Sequence, residues 1–137
     1  NHKSSKWFLE ELILQGCDGF SFKPTNAISA SQLEFLKTHF VGAFFLETSY
    51  FQEHDSPWHG TMFLYKFNRD SVRFILSNMG RHLLDFHAEL GNWQFYKDQN
   101  LIAGANKDDD FVTVNEPSNT LIEHLQQMEI PFELKST

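Results

Sequence analysis

The sequence predicts an α+β fold, a mainly antiparallel sheet of about five strands packed against a long central helix and flanking helices. Two observations carry that prediction. Stretches that alternate apolar and polar residues come as a pair and then as a group of three, and stretches with three-and-four spacing separate them. Strands grouped between single helices build antiparallel sheets with helices laid on one face. The composition supplies the core: 137 residues, of which 15 are Phe, are enough for one hydrophobic centre in a single domain over 1–137.

The N-terminal SSKWFLEELILQG has cap candidates in Ser4 and Ser5 and a left-handed stop in Gly16. Its apolar positions, Trp7, Phe8, Leu9, Leu12, Ile13 and Leu14, predict a helix with a broad buried face. Residues 16–26 hold two Gly, Pro24 and an FSF triplet, and read as a loop with at most a short strand. SASQLEFLKTHF opens on a capping box of Ser31 and Glu34 and sets Leu33, Leu36 and Phe40 on one helical face. VGAFFLETSYFQ and TMFLYKF both alternate, which is strand spacing, and EHDSPWHG lies between them as a long hairpin loop. The clearest helical stripe follows: Val72, Ile75, Leu76, Met79, Leu83, Phe86 and Leu90 predict one helix of about 20 residues, capped by Asp70, stopped by Gly91 and bent at Gly80. NWQFYK, NLIAGA and DDDFVTVNE then read as a three-strand meander with a turn at 98–100. Pro117 and Ser118 open a last helix, with a second capping box at Thr120 and Glu123 and with Leu121, Leu125 and Met128 inward. Pro131 makes the tail IPFELK extended.

Charge narrows the function classes. The chain carries a net charge of -7, and the part from 101 to 137 has seven acidic residues against Lys107 and Lys135 alone. An acidic chain without a Lys/Arg cluster argues against nucleic acid and anionic membranes and suits a basic partner. A mean hydropathy of -0.39 and the lack of an apolar run of about 20 residues argue against a membrane span, and no secretory signal pattern is visible. One cysteine, Cys17, forms no intrachain disulfide and fits a reducing, cytoplasmic setting.

EHDSPWHG gathers Glu53, His54, Asp55, Trp58 and His59. His54 and His59 have loose zinc spacing, but a zinc site needs further ligands on rigid elements, and no metal or other cofactor is expected. On the predicted long helix His82, Asp85 and Glu89 share a face, with His87 nearer the apolar stripe. Such a face can do acid–base work, yet it is also the solvated side of an amphipathic helix with an ordinary Arg81–Asp85 pair. No G-x-S-x-G, phosphate loop or H-E-x-x-H occurs. Asp108, Asp109 and Asp110 form an acidic run that lacks the rest of a calcium loop.

Surfaces remain. Trp58 follows Pro57 in a polar loop, Tyr50 and Tyr65 share an outward strand face, and Trp93 and Tyr96 frame a short strand. Aromatics beside Glu53, Asp55, Asp108, Asp109, Asp110 and Glu116 have the composition of a protein-binding hot spot. In character alone, with no shared motif, this resembles the immunity proteins that bacteria hold against secreted toxins. The expectation is therefore a non-enzymatic, cytoplasmic binding domain that sequesters a basic toxin such as a nuclease. The alternative is a small hydrolase-like or metal- or ligand-binding domain built on His54 and His59, and homodimer formation through a sheet edge stays open.

Overall fold

A computed structural model describes residues 2–24, 28–45, 61–85, 90–106 and 110–135. Along the chain run α1 (His2–Leu14), β1 (Gly19–Pro24), α2 (Ala30–His39), β2 (Phe40–Phe45), β3 (Thr61–Lys66), α3 (Arg69–Asn78), β4 (Leu90–Lys97), β5 (Asn100–Ala105), β6 (Val112–Asn115), α4 (Asn119–Gln127) and β7 (Phe132–Lys135). The α+β class holds, with four helices and seven strands among the described residues rather than about five strands. The strand order is β2-β3-β1-β4-β5-β6-β7. Every pairing is antiparallel except β6 with β7, so the sheet is mixed.

Both additional strands come from segments with short patterns. β1 is the FSF stretch, and it occupies the middle of the sheet between β3 and β4. β7 is the tail after Pro131. It lies parallel to β6 because α4 carries the chain back across the sheet, which makes β6–α4–β7 a βαβ unit. The β4–β5 hairpin turns through Asp98 and Gln99, both left-handed (φ 49° and 67°), as a two-residue hairpin of the primed type requires.

One row of residues crosses all seven strands and defines the core face: Phe40, Tyr65, Phe20, Phe95, Ala103, Val114 and Leu134. Its middle is sealed and its ends are open, with Phe20, Phe95, Ala103 and Val114 fully buried and Phe40 and Leu134 exposed. Phe8 of α1 stands edge-on to Phe95 at 6.2 Å, and Leu9, Leu12, Ile75, Leu121 and Leu125 from α1, α3 and α4, with Met79 at the end of α3, close the same cluster. The next row, on the reverse face, is polar: Ser21, Gln94, Gly104, Thr113 and Glu133. Ser21, Gln94 and Thr113 are buried there. Tyr96 OH donates to Gln94 Oε1 at 2.8 Å and lies 2.9 Å from Ser21 Oγ, which offsets the cost of taking these groups out of water.

The single long helix is the main correction. α3 stops at Asn78, and Gly80 takes a left-handed φ of 78°. A Cβ on Gly80 would lie 2.5 Å from Asp85 Oδ2, so the chain can reverse here only without one. Met79 and Leu83 keep their buried places across the break, although no helix joins them. Leu90, the last residue of the predicted stripe, opens β4, and the expected stop Gly91 lies within that strand. Asn68, not Asp70, caps α3, through a reciprocal box with Ser71.

The other helix starts shift in the same sense. α2 is capped by Ser29 with Gln32, two residues before the predicted box, and of its expected face only Leu36 is buried. α4 is capped by Ser118, while Thr120 and Glu123 lie inside the helix. α1 begins at His2, so Ser4 and Ser5 belong to its first turn, and buried Ser5 instead accepts a hydrogen bond from Leu83 N–H at 3.2 Å. Gly16 closes α1 as predicted: it is left-handed (φ 96°), and the Gly16 and Cys17 N–H groups reach back to the carbonyls of Ile13 and Leu12.

Candidate functional site

Two concavities form where α1 meets the ends of the other helices. The first is a groove of about 280 Å³ between α1 and α4, lined by Trp7, Glu10, Glu11, Leu14, His124, Gln127 and Met128. Its α1 wall is a helical stripe with spacing 7, 10, 11, 14, on the far side of the helix from Phe8, Leu9 and Leu12. Trp7 is 41% exposed and Leu14 is 79% exposed, so the buried face of α1 is narrower than its apolar residues suggested. The signal was in the sequence. At about 100° per residue, Phe8, Leu9, Leu12 and Ile13 gather on one side, and Trp7 and Leu14 fall opposite them.

Glu11 ties the groove floor together. It is buried, contacts His124 Nδ1 of α4 through Oε1 and accepts a hydrogen bond from Gln15 Nε2 at 3.3 Å. Ser118, which caps α4, donates to Gln15 Oε1 at 2.9 Å, so the two helices are clamped by polar contacts at this end. Lys3 Nζ sits 4.7 Å from the Trp7 ring centroid, a cation–π contact that leaves the rest of the indole available. Glu123 and Glu129 of the α4 segment are exposed as well.

The second concavity, about 390 Å³, opens between the first turn of α1, the turn after α3 and the turn after α4. Ser4, Ser5, His82 and Glu129 line it with Phe8, Leu83, Leu84, Val112, Met128, Ile130 and Pro131. His82 Nδ1 accepts the Leu84 N–H at 3.2 Å, which fixes the tautomer of the neutral ring with its proton on Nε2. Asp85 does not share a helical face with His82. It is buried and accepts the Arg81 backbone N–H at 2.8 Å, with Arg81 Nε at 3.5 Å. His87 and Glu89 lie outside the described residues.

The residues picked from the sequence fare unevenly. Tyr50, Glu53, His54, Asp55, Trp58, His59, Asp108 and Asp109 all lie outside the described residues. Asp110 and Glu116 are exposed. Tyr65 is half-buried in the aromatic row, within 5.7 Å of the Phe20 ring and 5.6 Å of the Phe22 ring, and burial raises its phenol pKa. Trp93 and Tyr96, expected at the surface, are fully enclosed. Cys17 is also buried; burial first, and Asp18 second, push its thiol up to about 12 against the lowering effect of Lys97, so it stays protonated and is a poor nucleophile.

Among the described residues no cluster of three or more His, Cys, Asp or Glu is placed to hold a metal ion, and no helix is long and apolar enough to cross a membrane. No family model, curated protein or solved structure matches the chain.

Proposed function

We propose that this chain is a non-enzymatic binding domain that sequesters a basic protein in the cytoplasm, as an immunity or antitoxin-type inhibitor does with a toxin such as a nuclease. The observation that carries the reading is the α1–α4 groove. It offers an exposed Trp and an exposed Leu on one helical stripe, with half-buried Glu10 between them and buried Glu11 on the floor against His124. An aromatic anchor beside the Glu10 carboxylate suits a partner that brings an apolar side chain flanked by Lys or Arg. The anchor supplies binding energy and the acidic field supplies encounter rate and selectivity. Asp110 and Glu116 extend the negative charge along the same third of the chain.

The test is capture of a basic protein on the immobilised chain, with three baits in parallel. Wild type should retain a partner in stoichiometric amount, with affinity that falls as salt rises. Trp7→Ser/Leu14→Ser should lose it by at least tenfold while keeping its fold. A Trp58→Ala/Asp108→Lys bait asks whether the loop and acidic run singled out in the sequence contribute as well. Equal retention by wild type and the Trp7/Leu14 variant would remove the groove from the reading, and no retention by any bait would remove the reading itself.

A further inference from the structure

The 390 Å³ cavity shares only Met128 with the lining of the α1–α4 groove. We infer that it is a binding site for an uncharged small molecule with an apolar body and one carbonyl-type hydrogen-bond acceptor, which His82 Nε2 engages. Three observations on this chain support the assignment. First, the size lies at the lower end of the roughly 300–1,000 Å³ common for small-molecule sites, which limits the occupant to a compact ligand. Second, Phe8, Leu84, Val112 and Ile130 give the cavity apolar wall, and Ser4, Ser5, His82 and Glu129 add a few polar groups to it, the mixture that holds an apolar body and can orient it. Third, the lining carries a defined donor. Leu84 N–H occupies Nδ1 of His82, the proton of the neutral ring is therefore on Nε2, and Nε2 has no partner among the described residues.

The charge of the ligand follows from the same wall. It contains one carboxylate, Glu129, and no lysine or arginine. The first turn of α1 adds only the partial positive charge of a helix N-terminus. An anionic ligand would face Glu129 without a compensating cation, whereas an amide or ketone oxygen takes the Nε2 proton at no such cost. Ser5, fixed by Leu83 N–H, joins α1 to the turn after α3, so the cavity is held by contacts between elements rather than by one loop.

The probe for this site is 3-phenylpropionamide, titrated into the isotopically labelled wild-type chain and followed by amide and imidazole NMR. The expected result is saturable shifts confined to Ser5, Leu83, Leu84 and Ile130, with movement of the His82 Nε2 resonance. The anion 3-phenylpropionate should bind at least fivefold more weakly, and His82→Ala should weaken the amide by a similar factor. The His82 Nε2 signal is read in the wild-type protein, so the result stands even where the variant fails to fold. Shifts that scatter over the surface or never saturate overturn the site, and saturation without movement of Nε2, or tighter binding of the anion, overturns the assigned chemistry.

Discussion

Helices α3 and α4 both end by turning left-handed at the residue after the cap, yet they do so with opposite residues. At the end of α3 the left-handed position is Gly80, with φ 78°; at the end of α4 it is Glu129, with φ 57°. The α4 turn closes with Glu129 N–H on the Gln126 carbonyl and Ile130 N–H on the Leu125 carbonyl, the paired bonds of a Schellman motif. At the glycine end the sequence suggested only a bend, while the glutamate end was visible because Pro131 forbids a continued helix. A glycine alone therefore carries little information when the apolar stripe runs on past it. What stops α3 is the company Gly80 keeps, since the Asp85 carboxylate occupies the space in which a Cβ would sit. The two turns then meet across the cavity, His82 and Leu84 from one and Glu129 and Ile130 from the other.

Breaking the glycine end should have the largest effect. Gly80→Ala combines a left-handed backbone, which costs an L-residue about 1–2 kcal/mol, with the 2.5 Å approach to Asp85 Oδ2. A total loss of about 3 kcal/mol is expected in urea unfolding, and a loss below about 1 kcal/mol would mean the turn is not held as described. Asp85→Ala comes next, at about 2 kcal/mol, because it removes a buried carboxylate that accepts the Arg81 N–H. The double variant separates the two causes. It should cost clearly less than the sum, since the alanine Cβ then meets no carboxylate, whereas strict additivity would assign the whole Gly80 effect to backbone conformation.

The same comparison shows what was legible and what was not. Patterns that end in a residue with one physical meaning were read correctly: Gly16 after α1, the turn at 98–100, and Pro131 before β7. Patterns that depend on a distant partner were not. Gly80 needs Asp85, and Ser5 serves Leu83 rather than capping α1. β1 alternates over only a few residues, but it is central because β3 and β4 flank it, which no local stretch reveals. The sites follow the same rule. Trp7 and Leu14 were hidden by counting apolar residues without placing them around the helix, and His82 was noticed but assigned to a helical face that Gly80 removes. EHDSPWHG, the most conspicuous chemistry in the sequence, lies outside the described residues.

Sharpening the comparison from the α4 side should give the smallest effect and the opposite sign. Glu129→Gly places at a left-handed position the residue that adopts it without steric cost. Gly also gains unfolded-state entropy relative to Glu, which offsets part of the benefit, so a net stabilisation of about 0.5–1 kcal/mol is expected. The substitution removes a charge too, and Glu129→Gln isolates that part. Glu129 is exposed, and no ion pair of its carboxylate is seen among the described residues, so Gln should leave stability within about 0.5 kcal/mol of wild type. If Gln stabilises as much as Gly, the gain is electrostatic, a relief of repulsion in the acidic third of the chain. If Gly alone stabilises, Glu129 is held in backbone strain that Gly80 avoids, and its side chain at the cavity rim becomes the feature that strain keeps in place.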